Sequence, residues 1–133
     1  TLTLTRLTAN SINVKVSNAT ATNTNGKVSW QSDRTITKTV DAGAGLIGDE
    51  FDVTGNASGT NRNGENFTIT IDKALHKKIA AGCARTFVIG KITLTNQSSS
   101  KTIAIDYDPY NNAACDLVAK ATINNKEYFY LVR

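Results

Sequence analysis

With 133 residues, 40% of them apolar and 20% charged, the chain is long enough to bury a core as one domain without metals or many disulfides. Its formal net charge of +4 comes from 15 basic and 11 acidic residues scattered along the chain, whereas nucleic-acid binders gather Lys and Arg on one face. No apolar run approaches membrane-spanning length, so the composition argues against nucleic-acid binding and against membrane insertion within this chain.

In chain order, Leu2 and Leu4 alternate with Thr1, Thr3 and Thr5, the period of a half-buried strand, and lack the charged start and apolar block of a signal peptide. Ile12, Val14 and Val16 repeat the pattern beyond a turn at Thr8-Ala9-Asn10. Residues 18–26 are rich in Asn and Thr and read as an exposed loop ending in the turn pair Asn25-Gly26. Val28 and Trp30 then alternate with Ser29. Trp30 is the one tryptophan, suited either to a core or lid position or to stacking on a sugar or peptide. Residues 34–40 alternate again, and Lys38 on the apolar row suggests an edge strand.

Residues 43–48 satisfy G-x-G-x-x-G. A dinucleotide site also needs a helix opening at those glycines, and Asp49 and Glu50 would repel phosphate, so the run reads as a glycine loop. Phe51 and Val53 on one side and Phe67, Ile69 and Ile71 on the other frame a long hairpin with Asn63-Gly64 at its tip. Residues 73–81 form the one helix candidate: Leu75 and Ile79 are spaced i, i+4, Gly82 is a natural stop, and His76 falls on the solvated side. Residues 87–95 read as a strand in which Gly90 marks a bulge or a close backbone approach. Ile103, Ile105 and Tyr107 alternate until Asp108-Pro109-Tyr110 breaks the ladder. The closing hairpin pairs residues 117–123 with 128–132. Its last strand is apolar on both sides, which predicts a strand buried between neighbours. The expectation is an all-β domain spanning residues 1–133: an antiparallel sandwich or barrel of about nine or ten short strands, with at most one short helix near 73–81.

Chemistry is sparse. One histidine and no G-x-S-x-G leave no recognisable activated nucleophile. Asp106 and Asp108 could pair as a glycosidase acid and base only if one were desolvated, which the sequence does not indicate. The expectation is therefore a protein that is not an enzyme. Asp106, Asp108 and Asp116, with Asn111 and Asn112, offer hard oxygen ligands that suit calcium. The same side chains suit turn capping, and Leu117 stands where a closing carboxylate would be needed. Calcium is the one cofactor candidate. Cys83 and Cys115 lack C-x-x-C spacing. They read either as buried thiols or as one disulfide closing a loop of about 30 residues, and the Thr- and Asn-rich β composition favours the bridge.

From about Arg34 to the C-terminus the chain resembles a group of secreted or lipid-anchored β-proteins of Bacteroidetes bacteria. The features that carry the resemblance are Phe51-Asp52-Val53-Thr54-Gly55, Cys83, Gly90, Ile105-Asp106-Tyr107, Cys115-Asp116 and Ile123-Asn124-Asn125-Lys126. The group usually carries glycines before the Cys-Asp pair, where this chain has Asp108-Pro109-Tyr110-Asn111-Asn112. The resemblance implies an extracellular or cell-envelope location and no particular activity. The expected function is accordingly a non-enzymatic structural or binding domain. The alternative is a carbohydrate- or calcium-binding module using Trp30, Tyr107, Tyr110 and the three aspartates. A glycan or an envelope protein is the expected partner.

Overall fold

The period-two alternation is realised as nine strands in a computed structural model that describes residues 1–43 and 45–132. They are β1 (Leu2–Arg6), β2 (Ser11–Asn23), β3 (Gly26–Val40), β4 (Glu50–Thr60), β5 (Asn66–Lys78), β6 (Ile89–Asn96), β7 (Lys101–Asp106), β8 (Val118–Ile123) and β9 (Lys126–Leu131). All nine lie in one sheet in sequence order, each antiparallel to the next. The fold is all-β, as the alternation predicts, and among the described residues it contains no helix. The glycine run at 43–48 joins β3 to β4 as a loop; Ala44 within it lies outside the described residues.

The helix expected over residues 73–81 is corrected: β5 continues to Lys78. Leu75 pairs across to Val53 and His76 to Asp52, so ladder bonds and cross-strand contacts replace the weak i, i+4 signal. Helix-like bonding begins beyond the strand, where the Ala84 N–H donates to the Ala80 carbonyl at 3.2 Å. The loop expected at 18–26 is also strand as far as Asn23. It is carried past a bulge between Val16 and Ala19, where Asn18 takes φ 53°. Gly90 is needed for the reason its position implied. Its φ is 133°, and a Cβ there would fall 2.6 Å from Leu75 Cδ2 and 2.8 Å from Leu75 Cα.

Directly opposed residues share a face, so the register sorts the side chains. One face carries continuous apolar rows: Ile12, Ile36, Val53 and Leu75; then Ala57, Ile69, Leu94, Ile103 and Ile123. The other carries Thr35 beside Thr54, Thr68 beside Thr95 and Thr102, and Thr93 beside Ala104 and Thr122. Close strand-to-strand contacts run between sequence neighbours, and among the described residues β1 and β9 are unpaired with each other. The sheet is thus a single continuous meander with two free edges.

Two expectations about edges reverse. β9 is an edge strand exposed along its whole length, although its apolar residues on both faces suit an interior strand. β3, expected at an edge because of Lys38, lies between β2 and β4. Lys38 is tolerated there because its ammonium reaches Asp49 Oδ2 at 2.8 Å and lies 5.9 Å from the Phe51 ring centre.

Among the described residues the buried apolar side chains are Leu75, Cys83, Val88 and Ala119, with Asp49, Thr86 and Asp108 buried beside the same loops. The close-packed part therefore sits at the end of the sheet where the β5–β6 and β7–β8 connections meet. Cys83 and Cys115 join those two connections in a disulfide with Cα atoms 4.8 Å apart. Across their separation of 32 residues, loop-closure entropy is worth about 3–4 kcal/mol.

Candidate functional site

Trp30 stands near the hairpin-tip end of β3, opposite Ala19 on β2 and Gly59 on β4. It is 37% exposed and borders an open cleft of about 300 Å³ with Asn18, Gln31, Ser58, Asn66 and Gln97. Gln31 Nε2 donates to Ser58 Oγ at 3.1 Å across the strands. By register Gln31 and Ser58 belong to the polar face and Trp30 to the apolar one. The cleft is therefore rich in amides and hydroxyls and can exchange hydrogen bonds with a polar ligand.

Tyr107 and Tyr110 are at the other end of the sheet and do not join Trp30. Tyr107 follows β7, packs edge-on against Phe87 at 5.4 Å between ring centres, and has its phenol pushed up by burial. Tyr110 is exposed and stacks on Phe129 of β9 at 5.9 Å. The three aromatics make two separate surfaces, not one platform.

The three aspartates lie at the end of β7 and in the connection that follows it, and each is engaged by backbone. Asp106 Oδ1 accepts from the Asp108 N–H at 3.0 Å, while Asp106 Oδ2 lies 3.0 Å from Lys91 Nζ. Asp108 Oδ1 accepts from the N–H groups of Asn112 and Ala113 at 2.9 and 3.1 Å. Asp116 Oδ1 accepts from the Val118 N–H at 3.0 Å. These bonds hold a connection that passes through positive φ at Asn111, Ala113 and Leu117. Among the described residues, no three His, Cys, Asp or Glu side chains gather as a metal-binding group.

Two charged arrangements escaped the sequence reading. Asp49 is fully buried, held by Lys38 at 2.8 Å and by the Ala42 N–H at 2.9 Å. Lys38 holds the Asp49 carboxyl below the usual aspartate range, and the same hydrogen bond raises Lys38. His76 sits between two carboxylates, with Nδ1 2.6 Å from Asp52 Oδ1 and Nε2 2.8 Å from Glu50 Oε2. A sequence signal existed: Glu50 and Asp52 are two apart in a strand pattern and so share a face. A helix over residues 73–81 would keep His76 away from that pair, whereas the strand sets it beside them.

Among the described residues no strand lies over the apolar face beyond its loop-covered end, and its outer strands are the most open: Leu2 and Leu4 on β1 are 63% and 64% exposed, Tyr128 and Tyr130 on β9 51% and 38%. On β9 the opposite side adds exposed Phe129 and Leu131. The accessible surface is 8416 Å², against about 6,800 Å² for a compact monomer of this mass. The paired positions of the apolar face include Arg6, Arg34, Lys38 and Lys77 and no Asp or Glu. A surface of this size and polarity suits association with another macromolecule. No protein-family model, no curated protein and no solved structure matches this chain.

Proposed function

We propose that the chain is a non-enzymatic binding domain of the extracellular space or cell envelope, and that its working surface is the apolar face of the sheet. The carrying observation is that the apolar face leaves Leu2 and Leu4 exposed on β1 and Tyr128 and Tyr130 exposed on β9, while the buried apolar set is confined to one end. An exposed apolar sheet face leaves water against residues that ordinarily meet a second layer, and a partner supplies that layer. The Cys83–Cys115 bridge fits an oxidising compartment, and the resemblance to secreted and lipid-anchored β-proteins supports the same location.

The test is photo-crosslinking in the cell that makes the protein. A benzophenone side chain in place of Tyr128 captures a protein, while one in place of Thr95 on the polar face captures far less. Equal capture from the two faces, or none, refutes the reading. Migration on non-reducing gels without added oxidant checks the compartment: a chain isolated fully reduced argues against it.

A second reading rests on the Trp30 cleft. The amides of Asn18, Gln31, Asn66 and Gln97 that line this cleft are suited to exchange hydrogen bonds with a sugar. Tryptophan emission titrated against a glycan panel tests it, since binding there changes the signal of the single Trp30. A flat response across the panel removes it.

A further inference from the structure

We propose that the layer covering the apolar face is the same face of a second copy of this chain, so that two sheets pack across a two-fold axis into one sandwich. The inference rests on the binding reading above and names its partner.

Area comes first. The chain exposes roughly 1,600 Å² more than a compact monomer of its mass. Burying half of that excess on each of two copies gives about 1,600 Å² in total, the standard size of a specific, stable interface. Covering the whole face would reach about 3,200 Å², within the range of obligate homodimers.

Polarity then chooses the half. Over β5 to β9 the centre of the face is apolar, with Ile69, Leu94, Ile103, Ile105, Ile123 and Tyr128. Charge appears towards the strand ends of that half, at Lys101 and Lys126 on one side and Lys77 on the other. An apolar centre inside a charged rim is the anatomy of a protein–protein interface. Arg34 and Lys38 on this face belong to β3, outside that half. A two-fold running near β7 lays β5 of one copy over β9 of the other. It leaves β1 to β4 beyond the overlap, so no cation is forced into the apolar centre. Face-to-face sheets pack about 10 Å apart with strands within about 30° of each other, which lets side chains of both copies interdigitate.

The arrangement also answers the mismatch at β9. Tyr128 and Tyr130 have the pattern of buried residues and are exposed in one copy. In the pair they meet the β5 face of the other copy. Burial already raises the Tyr130 phenol, and the second layer deepens that burial.

Sedimentation equilibrium of the full chain tests the proposal. The expected mass at micromolar concentration is twice 14.3 kDa. Ile123→Glu and Tyr128→Glu place a carboxylate in the apolar centre and weaken the dimer at least ~10-fold in Kd. Both positions are exposed in a single copy, so circular dichroism and an intact disulfide are expected to show a folded chain. Thr122→Glu, on the same strand but the other face, leaves the dimer unchanged. If Phe129→Glu disrupts the dimer as strongly as Tyr128→Glu, the copies pair edge to edge and the face-to-face arrangement is overturned. A monomer at every concentration, crosslinked from position 128 to a different protein, overturns the second copy and keeps the binding reading. A monomer that captures nothing from that position overturns both.

Discussion

The loop-covered end of the sheet and its outer strands are built from the same alternating residues, yet they hold their side chains by different means. At the covered end, Val88 and Leu75 are buried, the Val88 N–H donates to the His76 carbonyl at 2.9 Å, and the disulfide pins two connections together. At the outer strands the ladder is intact, but one face of each apolar row is open to water. β9 is tied to β8 by ladder bonds and by Lys120–Glu127 at 2.8 Å, a partly exposed pair worth little alone. The contrast separates what makes strands from what makes a core. Alternation and hydrogen bonding suffice for a sheet, whereas burial needs something laid over it, here the cross-linked loops.

Substitutions should therefore have unequal effects at the two places. Leu75→Ala, under the loops, is expected to cost about 2–5 kcal/mol in denaturant unfolding. Leu4→Ala on β1 should stay within about 0.5 kcal/mol, since its side chain is already solvated. Equal losses at the two positions would mean that the outer strands are covered after all. Replacing both Cys83 and Cys115 by Ser is expected to cost about 3–4 kcal/mol. Hydrogen exchange should then rise most in the amides of residues 79–88 and 107–117, with the β1–β2 ladder little changed. Faster exchange spread evenly over the sheet would break the distinction.

How far these differences were legible in the sequence depends on the range of the interaction. Period-two alternation is local and gives the strand class, Asn-Gly turn chemistry marks the tip at Asn63-Gly64, and a glycine inside a strand pattern marks Gly90. The disulfide was readable from cysteine count and composition. Residues 73–81 misled because Leu75 and Ile79 satisfy a helix spacing, while the bonds that fix Leu75 come from Val53, more than twenty positions away. Lys38 misled for a similar reason: its partner Asp49 arrives through a loop. The order of strands, and so the identity of the edges, is carried by no short pattern, so the two-sided apolar sequence of β9 suits an interior strand although it lies at an edge. Side-chain chemistry alone groups Trp30 with Tyr107 and Tyr110, whereas the fold sets Trp30 and the two tyrosines at opposite ends of the sheet.

The pair that Lys38 forms with Asp49 gives the covered end a pH signature on both the acid and the alkaline flank. The folded carboxyl lies below its ordinary value of 3.8, so its contribution is present above that pH and is lost as pH falls through the lower folded value. The folded ammonium lies above its ordinary 10.5, so its contribution is present below that pH and is lost as pH rises through the higher folded value. Asp49→Asn is expected to flatten both flanks of a stability–pH curve while lowering its plateau. An unchanged acid flank in that variant would show that other carboxylates set it.

The smallest expected effect concerns the Asp106–Asp116 connection, which belongs to the covered end and is satisfied from within. Asp108 Oδ1 already accepts two backbone N–H groups and Asp116 Oδ1 one, while Asp106 is held between the Asp108 N–H and Lys91. A calcium ion would have to compete with those bonds and with the Lys91 ammonium for the same oxygens. A ligand that binds the native state alone raises Tm with its concentration, so the competition can be read directly by melting in millimolar calcium and in chelator. The two curves should superimpose. A rise in Tm with calcium that disappears in Asp108→Asn would show that the connection gives up its internal bonds to a metal. The covered end would then be a second binding surface rather than the fixed end of the sheet.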